Sequence, residues 1–401
     1  MKKNTYFLVS SPPSFRQSMR LLSWPLSMGL AIALSLPLAA QAQAPERQAS
    51  GPKKQAGSHK HKPAKPSAKN TRARSPTPTL SALSLDTALT QTWAQDAAIR
   101  LQLDPLWVEK TLNQAKRLPS IEKLVLPPSS PSAKNWAAYR ARFIEPIRVQ
   151  SGARFWQTHR STLERAEREY GVPAAIIVGI IGVETLYGQN TGSFRIIDAL
   201  STLAFHFPSA HPRAAERQAY FRSELEQFLL LTSRSATDPL AIRGSYAGAM
   251  GLPQFMPSSW ARHAVDFDGD GRIDLFASPA DAIGSVANYF KAFQWRSGMP
   301  THYPVTLVPG QTDMDALLAP DILPTFSVHS FTAKGATLQG EALQHPGPLA
   351  LIELRNGNDS PSYVAGTENF YAITRYNWSS YYAMAVIELA DAVAREVQSM
   401  R

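Results

Sequence analysis

The sequence predicts a mainly α-helical fold of the α+β class, carrying a small β-rich insertion near its carboxyl end. Three observations lead there. Apolar residues recur at three- and four-residue intervals from about residue 85 onward. The stretch Ala174–Val183 contains no polar side chain at all, as suits a helix buried on every face. Residues 303–376 break into short β-like runs divided by Gly, Pro and Asn. No internal repeat is visible.

The elements follow in chain order. Of 41 Lys and Arg and 31 Asp and Glu, thirteen basic residues and one acid, Glu46, fall within residues 1–76, so that segment carries +12 and the remainder −2. A folded part of that balance does not read nucleic acid through a basic face. Residues 1–42 have the layout of a secretory signal: Lys2, Lys3, Arg16 and Arg20 precede an uncharged stretch ending in Ala40-Gln41-Ala42. A retained membrane anchor competes with that reading, since about 20 apolar residues span a bilayer; Pro25 and Pro37 argue against it. Residues 43–84, rich in Lys, Pro, Ala and Ser, read as a disordered linker, either a solvated spacer or an arm attracted to anionic envelope polymers. The chain has no cysteine, which excludes a disulfide framework and a lipid anchor on an amino-terminal Cys.

In the folded part, residues 85–401, Asp104 and Pro105 place an N-cap and a first-turn proline before Leu106–Ala115. Phe155, Trp156, His159, Leu163, Ala166 and Tyr170 predict one helix running to Gly171. Pro173 suits the first position of the next helix, which is the apolar one. Phe221, Leu225, Phe228 and Thr232 mark another, as do Ile283, Val286, Phe290 and Phe293. The last helix begins near Ser379 and carries Met384, Leu389, Val393 and Val397. Between these, Val305–Pro309, Leu349–Leu354 and Phe370–Tyr376 read as strands. A folded part of this length suggests two or three lobes around a cleft.

Three features carry chemistry. Glu184 is the only ionisable side chain from Pro173 to Leu186. Its surroundings disfavour the charged form, which is how a protein makes a general acid; a buried Glu hydrogen-bonded for stability is the alternative. Gly244, Gly248 and Gly251 flank Ser245 and Gln254, a pattern that brings backbone close to a ligand or forms a Gly-rich helix entry without one. Asp266, Asp268, Asp270 and Asp274 occupy the first, third, fifth and ninth places of an EF-hand-like loop, with Gly271 at the sixth and Arg272 at the seventh. The twelfth place holds Ala277 instead of the usual Glu, so either a cation sits among these carboxylates or the segment is a solvated acidic turn.

Four stretches together, Gly171–Gly188, Gly244–Trp260, Asp266–Phe290 and Asn369–Val386, closely resemble the lytic murein transglycosylase B family, of the glycoside hydrolase family 103 type. The resemblance covers roughly residues 85–401 and implies a lysozyme-like helical core with an additional helical lobe. It implies that Glu184 is the sole acid/base. Glu184 would protonate the glycosidic oxygen between N-acetylmuramic acid and N-acetylglucosamine, then take the proton of the muramoyl 6-hydroxyl as a 1,6-anhydro ring closes. It further implies a groove for peptidoglycan strands lined by Tyr139, Tyr220, Ser245, Gln254, Tyr289, Tyr376, Asn377 and Tyr382. A structural Ca2+ is implied at the acidic loop 266–281, closed by Asp281 after Pro279, although this chain has one extra residue before that proline. The implied enzyme is periplasmic and monomeric, has no organic cofactor, and has partners among proteins of wall synthesis or remodelling.

Two other readings compete. A hydrolytic muramidase needs a second carboxylate to direct water, for which Asp198 and Glu216 are the candidates. A non-catalytic peptidoglycan-binding scaffold has no need of a buried acid. Serine-nucleophile and zinc chemistries lack their G-x-S-x-G and H-E-x-x-H arrangements.

Overall fold

Capping side chains set many of the helix ends in the computed structural model, in which residues 82–127 and 134–400 are described. The expected signal segment and most of the expected linker lie outside those residues. Asp86 accepts from the amides of Ala88 and Leu89 to start α1 (Thr87–Leu101), and Asp104 caps α2 (Pro105–Asn113) as its sequence predicts. Leu83–Ser84 (β1) pairs antiparallel with Lys116–Arg117 (β2). The last residues of the stretch assigned to the linker therefore form a paired strand, because backbone pairing needs no apolar signature in the sequence.

Two short helices, α3 (Pro119–Leu124) and α4 (Trp136–Arg140), precede α5 (Pro146–Thr158) and α6 (Arg160–Tyr170). The single helix expected up to Gly171 is thus two, broken at His159 (φ −110°, ψ 24°). The apolar phase survives the break, since Phe155, Leu163 and Ala166 enter one core. Gly171 ends α6 at φ 73°, a conformation that costs glycine little. The apolar helix α7 (Ala174–Thr185) follows, with Pro173 as its N-cap, one position earlier than expected. Next come β3 (Phe194–Arg195), α8 (Ile196–Phe205), α9 (Ala214–Arg234) and β4 (Arg243–Gly244), which pairs with β3. After them lie α10 (Pro257–His263) and α11 (Pro279–Ala292).

The insertion holds β5 (His302–Pro304), β6 (Thr306–Leu307), α12 (Met314–Leu318), α13 (Val328–Ala333), β7 (Ala336–Thr337), β8 (Ala350–Asn356) and β9 (Asp359–Gly366). Its sheet runs in the order β5-β9-β8, all antiparallel, while β6 pairs with β7. Successive side chains of a strand point to opposite faces, and β8 uses both. Ala350, Ile352 and Leu354 join the main core, while Leu349 and Leu351 join a second core with Tyr303, Leu317 and Phe331. The sheet is therefore a wall between two lobes.

Two strand expectations change here. Phe370–Tyr376 lies in and just after a helix, α14 (Glu368–Thr374), because Thr367 caps it and Phe370, Ile373 and Thr374 bury one face at helical spacing. Conversely β9 was missed, since Ser, Pro and Gly hide its alternation. The chain closes with α15 (Ser380–Ser399), started by the Ser379 hydroxyl accepting from the Tyr382 amide. Helices α7 and α15 cross in close contact: a Cβ on Gly179 would lie 2.7 Å from the Val386 carbonyl oxygen. Among the described residues no helix is long and apolar enough to cross a membrane.

Candidate active site

Glu184 sits in the last turn of α7, and the chain behind it bends sharply. Leu186, Tyr187 and Gly188 all take positive φ (51°, 58° and 89°), which for the first two is a strained conformation costing about 1–3 kcal/mol each. Thr185 holds the bend in place: its hydroxyl donates to the Leu252 carbonyl at 2.9 Å and accepts from the Gly188 amide at 3.0 Å. Glu184 is only partly exposed, as a group that must reach a substrate requires, while protein surrounds its carboxyl. That burial pushes its pKa up to about 7, partly opposed by the Tyr382 hydroxyl, which donates to Oε1 at 2.5 Å. Relative to an exposed carboxyl, this favours the protonated form by roughly 3 kcal/mol. With Oε1 accepting from Tyr382, the acid proton belongs on Oε2.

The expected groove tyrosines gather around this carboxyl, although not all as contacts. Tyr376 stacks on Tyr382 with ring centroids 6.4 Å apart, and Tyr289 lies 4.8 Å from Tyr376. Tyr382 and Tyr289 are buried, so they back the pocket. Tyr289 donates to the Arg375 carbonyl and Tyr376 to the Pro253 carbonyl, each at 2.6 Å. Tyr139 is half-buried among Trp136, Phe143 and Tyr381, and burial followed by the Glu184 charge pushes its pKa up to about 12. Tyr220, half-buried, is hydrogen-bonded to Glu224 one turn further along α9.

The glycine-rich stretch is a turn clamped between the end of α7 and Tyr376. Ser245 is buried, and its hydroxyl accepts from the Ala249 amide at 2.9 Å, bracing the turn. Gln254, at φ 51°, gives its amide protons to the carbonyls of Thr191 (3.1 Å) and Gly251 (2.9 Å), leaving Oε1 free to accept. The Asn377 Oδ1 is buried without a partner. A buried acceptor left unpaired is costly, and no donor among the described residues reaches this one.

The acidic loop is a different construction. Asp266, Asp268 and Asp270 offer oxygens within 4.8 Å of one another, a donor set that fits a hard, oxygen-seeking cation. Asp274 and Asp281 are not part of that group. Asp281 is buried and accepts from the amides of Phe267 (2.7 Å), Asp268 (3.3 Å) and Asp274 (2.8 Å), while Asp274 accepts from those of Phe276 and Ala277. Arg272 lies 3.6 Å from Asp270, a fixed charge beside the cluster. Asp281 therefore braces the loop from within.

The candidates for a second catalytic carboxylate are occupied elsewhere or exposed. Asp198 is clasped by Arg195 (2.7 and 2.8 Å) and by the Lys116 amide, and Glu216 is exposed at the start of α9. Sequence reasoning also missed residues that shape the site. Tyr187 is wedged so tightly that a Cβ on Gly152 or Gly182 would meet its hydroxyl at 2.3 or 2.4 Å. Arg148 donates to the Gly182 carbonyl at 2.5 Å, securing the final turn of α7. Glu224 accepts from the Ser258 amide (2.9 Å) and hydroxyl (2.7 Å), and burial raises its pKa. On helix faces these residues read as solvated charges or ordinary core.

A helical body that places a raised-pKa acid, Glu184, at a helix end among tyrosines is arranged for proton transfer to a bound ligand. Residues 86–391 match the transglycosylase SLT domain family, and the chain belongs to it. It is 45% identical over 296 residues to membrane-bound lytic murein transglycosylase B of Escherichia coli K12, covering 72% of this chain and 77% of that protein. The E. coli lytic transglycosylase Slt35 in complex with calcium superposes with a TM-score of 0.67 at 40% identity, over 79% of this chain and 96% of that one. Pseudomonas aeruginosa SltB3 in complex with NAG-anhNAM-pentapeptide does so at 0.64 and 27% identity, over 77% and 80%.

Proposed function

We propose that this chain is a peptidoglycan lytic transglycosylase that cleaves the β-1,4 bond between N-acetylmuramoyl and N-acetylglucosaminyl residues, leaving a 1,6-anhydromuramoyl end. One observation supports this over hydrolysis: the two carboxylates considered for directing water are engaged or exposed elsewhere, Asp198 with Arg195 and the Lys116 amide and Glu216 at the start of α9. Ordinary glycosidases place a second carboxyl within about 5–9.5 Å of the first. In the step proposed, the Oε2 proton passes to the glycosidic oxygen, and the C1–O bond breaks with its electron pair going to that oxygen. The resulting carboxylate takes the proton of the muramoyl 6-hydroxyl as its oxygen bonds to C1. Holding that hydroxyl in place is an entropic gain that a shaped groove supplies, and Ser245, Gln254 and Asn377 are the polar groups offered for it.

The names of the relatives support action at the cell envelope in wall turnover, and the expected export signal agrees with a periplasmic site. For the acidic loop, Asp266, Asp268 and Asp270 would hold a calcium ion, as the calcium-bound relative suggests. Its contribution would be to neutralise their mutual repulsion and stiffen the loop, with no part in bond cleavage. Mass spectrometry of the products from purified sacculi tests the reaction type. Anhydro ends are expected; reducing ends alone would establish a hydrolase, and no soluble product would leave the scaffold reading.

A further inference from the structure

We infer that Glu224 is a positioning residue of the groove: its carboxylate is the common acceptor that ties Tyr220 to the start of α10, and so sets that tyrosine against the glycine-rich turn. The inference rests on the transglycosylase reading and adds to it a carboxylate too buried to touch substrate. Glu224 lies in α9 and is 2% exposed. A charge taken that far from water needs hydrogen-bond partners, and it has three. Oε2 accepts from the Ser258 amide at 2.9 Å, Oε1 accepts from the Ser258 hydroxyl at 2.7 Å, and the Tyr220 phenol donates to the same carboxylate.

Those partners belong to different elements. Tyr220 stands one turn before Glu224 on α9, the spacing that puts both side chains on one face. It is half-buried and close enough to interact with Tyr289, which backs the pocket. Ser258 is the second residue of α10. There the N-cap residue, Met256, supplies no side-chain cap, and the first residue, Pro257, has no amide proton. Glu224 therefore caps α10 from a neighbouring helix. Arg262 fixes Ser258 from the other side, its Nη2 donating to the Ser258 hydroxyl and its Nε to the Ser258 carbonyl, each at 3.1 Å. With an Arg donor on that hydroxyl, its own proton points to Glu224.

The chain entering α10 is the glycine-rich turn. Met250 and Phe255 exchange backbone hydrogen bonds at 2.9 and 3.0 Å, so the turn is closed and joins α10 through Met256 alone. It holds Gln254 and also Pro253, whose carbonyl receives the Tyr376 phenol. One carboxylate thus registers Tyr220 against this turn. Charge-assisted hydrogen bonds fix direction as well as distance, which apolar packing between α9 and α10 alone does not.

The test measures kcat and KM on soluble glycan strands for the full chain carrying Glu224→Gln, Tyr220→Phe, Ser258→Ala, and the last two together. The glutamine keeps the volume but turns an N–H toward one of the three donors, and should raise KM about tenfold. Its kcat and its pH midpoint should hold, because Glu184 is untouched. Each loss of a single donor should raise KM by less, and the double variant by less than the product of the two, because both donors act through one carboxylate. An unchanged KM in the glutamine variant would overturn the inference. So would single effects that multiply, since the donors would then act independently, or a loss of folded enzyme with the wild-type KM, which would make Glu224 a structural group only. If wild type itself makes no anhydro product, the transglycosylase reading fails instead, and the two failures are distinguishable.

Discussion

Two groups of carboxylates occupy this chain, and they show how one functional group is put to opposite uses. At the end of α7, Glu184 receives a single hydrogen bond and is otherwise enclosed by protein, so burial holds its proton to about pH 7. In the loop 266–281, carboxylates accept from amide after amide: Asp266 takes those of Gly269 and Gly271, and Asp270 takes that of Arg272. The Ser278 hydroxyl donates to Asp268 at 2.7 Å and holds that group below its ordinary pKa. Hydrogen bonds to the charged form favour it, and desolvation without them favours the neutral form. The first environment makes a proton donor and the second a rigid anionic turn.

The largest expected effect breaks the acid while sparing the loop. Glu184→Gln should lower turnover by about a thousandfold with folding preserved, since the amide keeps the shape and can still accept from Tyr382. Activity within a few fold of wild type on sacculi would remove Glu184 from the mechanism. Next comes the loop's own keystone. Asp281→Ala strips three backbone amides of their acceptor, and should cost roughly 2–4 kcal/mol, read as a lower midpoint in urea. An unchanged midpoint would mean that the loop holds itself without Asp281.

The third prediction compares the groups through pH. The Glu184 pKa is raised from 4.5 to about 7 on folding, so its contribution to stability is fully present below pH 4.5 and is lost as pH rises through 7. The glutamine variant does not titrate there. It should gain stability relative to wild type across that window, by at most roughly 3 kcal/mol. A constant difference from pH 4 to 8 would show that the carboxyl is solvated. The smallest effect is at the loop, where calcium should raise the melting temperature of chelated protein by mass action and magnesium should do less. Asp270→Ala should abolish that response; a calorimetric trace without calcium heat would leave a solvated turn, and the catalytic account would stand.

Much of this was legible in the sequence because it rests on local rules. The apolar run of α7 announced a buried helix and isolated Glu184 within it, and Asp104, Gly171 and Ser379 marked helix ends through capping chemistry. What stayed hidden depends on tertiary partners. Phe370–Tyr376 has the aromatic and β-branched composition of a strand, yet a Thr367 cap and a one-sided core make it helical. Asp281 is a ligand only by the family resemblance, whereas the fold shows that its oxygens are taken by three amides. Likewise, the sequence offers a set of equivalent tyrosines. The partners of their hydroxyls include a carbonyl more than a hundred residues away in one case, Pro253 for Tyr376.

The central claim is that enclosure turns Glu184 into the acid, and the pH dependence of kcat/KM on soluble glycan strands tests it most directly, because that profile reports the groups of the free enzyme. The account predicts a rate that falls as Glu184 loses its proton, with a midpoint near pH 7. A midpoint at the ordinary carboxyl value near 4.5, or a rate undiminished through pH 9, would contradict it.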